Sequence, residues 1–145
     1  MINSFANYVK DGVVRKKIKD KESAASLFHH AQDRLAYAKQ KEATEKTASF
    51  ILEDAYGAAL ETVQALMAKE GYKTSPKPGA HESCLAFLKD MHASSFTEET
   101  IRTFDRYRQL RHDSFYRAVS VTLDDSKNAL KFAEKIIEKC KSLLE

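Results

Sequence analysis

Residues that break helices are scarce in this chain: four Gly and two Pro among 145 positions. A sandwich or barrel of many short strands needs a turn every eight to twelve residues or so, and that supply cannot build them. What remains is a small number of long elements. Apolar residues recurring every three or four positions identify them as amphipathic helices.

Residues 2–20 read as a first helix, with Phe5, Val9, Val13 and Ile18 roughly on one side, although Gly12 interrupts the run. From Glu22 to Glu45, Ala24, Leu27, Phe28, Ala31, Leu35 and Ala38 follow helical spacing. Thr47 to Glu70 is a second long run, holding Phe50, Ile51, Ala55, Ala58, Ala59, Val63, Leu66 and Met67. The short polar link between these runs makes them antiparallel neighbours. Gly71 stops the second, since glycine enters the left-handed cap conformation without a Cβ clash. Tyr72 to Ala80 contains both prolines and reads as a loop, followed by a shorter helix over His81 to His92.

Phe96-Thr97-Glu98-Glu99 is a helix start, with a threonine cap and carboxylates at the positive end of the dipole. That helix should run to about Arg117. Thr122-Leu123-Asp124-Asp125 carries a capping-box spacing and opens the last helix, which turns Leu130, Ala133, Ile137, Cys140 and Leu144 inward. The expectation is an all-α fold: an antiparallel, up-and-down bundle of four to five helices. Residues 1–145 form one domain, with 1–20 as an N-terminal helical extension. A chain this long buries roughly two-thirds of its unfolded surface, and 43% apolar with 31% charged residues suits a globule.

No run of about 18 apolar residues is present, so no membrane span is expected. The first residues lack the charged start and apolar core of a secretory signal. Cys84 and Cys140 lie far apart without a C-x-x-C spacing, which fits free thiols in a reducing cytoplasm. The net charge of +3 does not by itself announce nucleic-acid binding. Its distribution is uneven: Lys10, Arg15, Lys16, Lys17, Lys19 and Lys21 crowd the start, and Lys127, Lys131, Lys135 and Lys139 recur every fourth residue near the end. Such rows are ordinarily a solvated helix face, with a phosphate-binding patch as the alternative.

On the helix begun at Thr97, Ile101, Phe104, Phe115 and Val119 fall within about 60° of one another. Arg108 lies in the middle of that stripe, with Arg111 and His112 at its margins. A charge facing a core needs a partner. One reading is an internal salt bridge, for instance from Arg108 to Glu53 or Asp54. The other is an anion site, in which two guanidiniums one turn apart grip phosphate and an imidazole moves protons near pH 7. Metal chemistry has no support. His29 and His30 diverge by about 100°, His81-Glu82 lacks the second histidine of a zinc-protease helix, and no glycine-rich phosphate loop occurs. Tyr37, Tyr56 and Tyr72 read as core and rim residues.

Two stretches, DAYGAALETVQALMAKEGYKTSPKPGAHESCLAFL at 54–88 and FDRYRQLRHDSFY at 104–116, resemble the HEPN superfamily of small helical domains. The similarity covers roughly Lys21 to Leu144. The resemblance implies a homodimer whose arginine-bearing helices face a shared cleft. Many members cleave RNA without metal, using an arginine and a histidine with four to six residues between them. Others bind nucleotides or act as non-cleaving partners of small nucleotidyltransferases, as in toxin–antitoxin systems. Aligned on Arg111, the polar position that follows is His112, and Tyr116 takes the histidine position. A phenol with a pKa near 10 is a poor proton shuttle at neutral pH.

The reading is therefore a phosphate-binding module for nucleotide or RNA, acting as a dimer beside a nucleotidyltransferase and needing no cofactor. Arg108, Arg111, His112 and Tyr116 would form the site. The alternatives are a ribonuclease with His112 as proton shuttle and Arg106, Arg108 or Arg111 stabilising charge on phosphorus, and a purely structural dimerisation module.

Overall fold

The computed structural model describes residues 2–145. Its elements are α1 (Phe5–Lys10), β1 (Val14–Lys16), α2 (Lys21–Gln40), α3 (Ala48–Glu70), β2 (Tyr72–Thr74), α4 (Ala80–Met91), α5 (Glu98–Arg117) and α6 (Leu123–Leu144). The architecture is all-α, with six helices and one two-stranded antiparallel ribbon. Helix α3 is the axis: α2, α5 and α6 all pack along it, and buried residues lie on almost every side of it. Its alanines, Ala55, Ala58, Ala59 and Ala65, are fully buried. Side chains that small let neighbouring backbones approach closely.

The helix ends follow from local chemistry. Thr97 Oγ1 accepts the Thr100 N–H at 3.2 Å to start α5. Thr122 and Asp125 exchange side-chain and backbone hydrogen bonds at 3.0 and 3.2 Å, a complete capping box. Gly71 ends α3 in the left-handed conformation. The core side of α6 is as expected, with Ala133, Ile137 and Cys140 buried and Leu130 and Leu144 partly so. Cys84 and Cys140 are both free and buried. Among the described residues no helix is long and apolar enough to cross a membrane.

The first helix is much shorter than expected. It stops at Lys10, and at Gly12 the backbone takes φ +77°, a conformation that L side chains avoid and that turns the chain. The following residues then pair with the segment read as a loop: Val14 opposite Thr74, Arg15 opposite Lys73 and Lys16 opposite Tyr72. Beyond the ribbon, the Lys17 N–H donates to Gly71 O at 2.8 Å and the Asp20 N–H to Ala68 O at 3.0 Å. The connector thereby satisfies carbonyls at the C-terminal end of α3. Ile18, assigned to an apolar side, is 91% exposed.

The α5 stripe is also split. Ile101, Phe104 and Tyr107 are buried, whereas Phe115 is 66% exposed and Val119 is exposed too. The helix runs on past the bundle, so its last turns have no neighbour from this chain to cover them. Phe50, also placed inside from sequence, is exposed, as is Tyr37, read as a core or rim residue.

Candidate functional site

The inner half of α5 is anchored by Phe104, whose ring meets Tyr56 edge-on at 5.8 Å and Phe132 at 5.3 Å. That anchoring sets the rotation of the helix and aims Arg108 and Arg111 at the seam between α3 and α4. Arg108 Nε donates to Asp105 Oδ1 at 2.8 Å, and its Nη1 lies 3.8 Å from Glu82 Oε1 on α4. Arg111 Nη2 donates to Glu53 Oε1 on α3 at 3.4 Å, with its guanidinium 5.9 Å from the centre of the Tyr56 ring. Burial works against the charge of Arg108, but the bond to Asp105 together with the charges of Asp105 and Glu82 outweighs it and holds the guanidinium above its ordinary pKa.

A histidine completes the group, and it comes from α4. The Tyr56 hydroxyl and His81 Nδ1 are 3.0 Å apart, and the two rings lie 5.7 Å centre to centre. Burial lowers the pKa of His81, and the charge of Arg111, with a smaller contribution from Arg108, lowers it further against the pull of Glu82. At neutral pH the ring is therefore an uncharged imidazole, sharing a hydrogen bond with the phenol through Nδ1. Burial holds Tyr56 protonated far above the ordinary range of a phenol.

Two guanidiniums and three carboxylates thus share one half-buried seam with a neutral imidazole. The internal salt bridge weighed from sequence is present, with different partners: Glu53 is taken by Arg111 rather than Arg108, and Asp54 binds Arg34 of α2 at 3.2 Å. Chemically the seam can hold an anion only by exchanging Glu53 and Glu82, the longer contacts, for the incoming oxygens. Desolvation there is partial, so the exchange is not prohibitive.

His112 and Tyr116 stand elsewhere. They lie on the exposed side of α5 with rings 4.7 Å apart. Phe115 packs edge-on against Tyr116 at 5.0 Å, and Tyr116 is 68% exposed. The four residues expected to act together thus form two groups: Arg108 with Arg111 in the seam, and His112 with Tyr116 on the outer surface. Arg106, also weighed for the ribonuclease reading, is exposed beside the ring of Tyr107.

Tyr56, His81, Glu82 and Asp105 were not read as members of the site. Asp105 was within reach of sequence reasoning, because residues three apart on a helix are neighbours. His81 and Glu82 were not, because the α4–α5 packing that delivers them is non-local. Among the described residues no group of three or more His, Cys, Asp or Glu side chains could hold a metal ion.

A family model described as the HEPN domain matches residues 24–143, most of the chain. No curated protein matches, and no solved structure does. Helices α3, α4 and α5, which make the seam, lie wholly inside the matched region, whereas α1 and β1 lie outside it.

Proposed function

The chain belongs to the HEPN domain family, and from that premise we propose that it is a binding module: a homodimer that holds nucleotide or RNA phosphate at its α5 seam, working beside a nucleotidyltransferase as in toxin–antitoxin systems. The observation that carries the reading is the way α5 emerges from the bundle. Arg108 and Arg111 sit one turn apart where the helix leaves the core, open on one flank, and the exposed rings of Phe115 and Tyr116 continue the same helix outward. Phe50, one turn before Glu53 on α3, is also exposed. Arginine and aromatic side chains in one patch are the composition of a protein–protein interface core. Closing two such seams against each other would bring four guanidiniums together and remove water from around them, which strengthens their hold on phosphate.

The test is a double variant, Arg108→Ala with Arg111→Ala, assayed for binding of a labelled nucleotide and a labelled RNA oligomer. Both arginines are part-exposed, so the helical circular dichroism should survive while binding falls by tenfold or more, about 1.4 kcal/mol. A folded double variant that binds both probes like the parent sinks the proposal. For the partner, co-purification with a nucleotidyltransferase encoded beside it is the supporting result.

One observation favours a second reading, a ribonuclease. His81 is a neutral imidazole beside two guanidiniums, the pairing that general acid–base cleavage of a phosphodiester requires. Chelator-resistant RNA cleavage lost in His81→Ala or His112→Ala would support it; RNA left intact by concentrated protein argues for binding alone.

A further inference from the structure

The cations of the α5 seam are matched by carboxylates, so the unmatched positive charge of the molecule lies elsewhere. Its largest concentration is the ribbon and connector at the N-terminus. Arg15, Lys16, Lys17, Lys19, Lys21 and Lys73 are all exposed. Among the described residues none of the six makes an ion pair. Arg15 stands directly opposite Lys73 in the ribbon, an arrangement that repels and costs stability. Nothing in the fold needs a like-charged pair there, since Val14 alone supplies the buried contact of β1.

Val14 faces the core, so by alternation Arg15 faces solvent on the same side as Lys73, and beyond the strand the connector carries the exposed Lys17, Lys19 and Lys21 towards α2. Beside this row runs a groove of about 980 Å³ between the connector, α2 and α3, lined among others by Lys17, Lys73, Ser26, Gln64 and Tyr72. Ile18 stands at its rim, flanked by Lys17 and Lys19 and uncovered by any neighbour. Two carboxylates, Asp20 and Glu22, also line the groove; that of Asp20 accepts the Ser23 N–H at 2.9 Å and the Ser23 hydroxyl at 2.7 Å, and the six cations outnumber the pair.

We propose that this basic ribbon and its groove bind the phosphodiester backbone of single-stranded RNA, with the cations tracking successive phosphates and the groove admitting bases. A run of exposed cations complements a repeating anion, and the hydroxyl and amide groups of the groove wall offer hydrogen bonds to base edges. The inference rests on the phosphate-binding reading only for its choice of ligand class. The surface itself is distinct from the seam, and all its cations but Lys73 lie outside the family match, which begins at residue 24, while most of the groove wall lies inside it. The two surfaces share one side of α3, because Glu53 at the seam and Gln64 in the groove are three turns apart, about 16 Å along the axis. One extended strand can touch both.

The experiment is fluorescence anisotropy of a labelled oligouridylate about a dozen nucleotides long, titrated with the full chain at several salt concentrations. Contact with about four phosphates predicts a salt slope near −2.8 and roughly a fiftyfold weakening between 50 and 200 mM salt. The variant Lys17→Gln/Lys19→Gln/Lys73→Gln, altered only at exposed positions, should bind more weakly and with a slope shallower by about 2. Ile18→Ser should weaken binding severalfold and leave the slope alone.

The proposal is overturned if the triple variant keeps the affinity and slope of the parent, if high-micromolar protein fails to bind the oligomer, or if polyglutamate or phosphatidylserine vesicles bind more tightly. Loss in the lysine variant with retention in Arg108→Ala/Arg111→Ala upholds the ribbon and leaves the α5 seam only nucleotide as its ligand. The reverse pattern refutes the ribbon and upholds α5.

Discussion

Gly57 sits in the middle of α3, where glycine costs about 1 kcal/mol relative to alanine. The structure explains its presence. Arg34 of α2 crosses directly over it to reach two carboxylates, with Nε donating to Asp54 at 3.2 Å and Nη1 to Glu61 at 2.9 Å. A Cβ on residue 57 would stand 2.2 Å from Arg34 Nη1 and 2.4 Å from its Cζ. Gly57→Ala therefore gains about 1 kcal/mol of helix propensity and displaces the guanidinium. Charge-assisted hydrogen bonds contribute about 1.5–3 kcal/mol each in protected settings. The Arg34 side chain is 31% exposed, so screening reduces the two together to about 2 kcal/mol. The carboxylates are not stranded, because Lys41 stays near Asp54 and His30 near Glu61. The net expectation is a loss of about 1 kcal/mol, or about 3 °C in Tm for a chain of this size. In an Arg34→Ala background the clash is gone, and Gly57→Ala should instead stabilise by about 1 kcal/mol. A urea-denaturation double-mutant cycle reads this reversal as a coupling of about 2 kcal/mol. If Gly57→Ala stabilises equally in both backgrounds, Arg34 moves aside at no loss and the reasoning is wrong.

Two further outcomes follow from single residues. The unfolded chain's imidazole titrates near 6.5, while burial and then Arg111 lower that of His81 in the folded chain. The unfolded state thus takes up the proton first, and stability should fall as pH drops below about 6.5, levelling off beneath the folded value. His81→Gln should flatten that component when the denaturation free energies at about pH 7.5 and pH 5 are compared; an unchanged difference between the two pH values would place the ring in water. Thr122→Ala removes the acceptor for the Asp125 N–H and should cost about 1 kcal/mol, measured as a lower urea midpoint with the same m-value.

The ends of α3, α5 and α6 were legible because the residues that fix them are adjacent in the chain: Gly71, Thr97 with its two glutamates, Thr122 with Asp125. The stretch from Gly12 to Lys17 was not. Val13 and Ile18 fit a helical side on spacing alone, and only pairing with Tyr72–Thr74, nearly sixty residues away, makes that segment a strand. The outer half of α5 misled for a related reason. Periodicity reports that Phe115 and Val119 share a side with Phe104, but not that the bundle ends before Phe115 or that the helix stops at Arg117, before Val119. At the site, Arg108 and Arg111 were found because a cation on an apolar stripe is conspicuous in one dimension. Tyr56 and His81 look ordinary until α4 is packed against α5.

The two arginines are not equally available to a ligand. Asp105 lies on the same helix as Arg108, three residues earlier, and their 2.8 Å bond moves with α5 as a unit. An anion approaching the seam gains little by competing for that bond. Arg111 is held by a single 3.4 Å contact to a part-exposed Glu53 on another helix, and its planar group rests over the Tyr56 ring, a surface that keeps it oriented without neutralising it. Exchange of Glu53 for a phosphate oxygen therefore costs less than exchange of Asp105. The incoming group would meet Arg111 first, with the neutral His81–Tyr56 pair behind that guanidinium and Arg108 as a fixed positive backdrop. The same neutrality explains why the isolated chain tolerates so polar a seam: every guanidinium there has a carboxylate within reach, and no buried side-chain polar atom among the described residues lacks a partner. The seam's polar groups are satisfied within this chain, and the proposed recognition would use the open flank of Arg111.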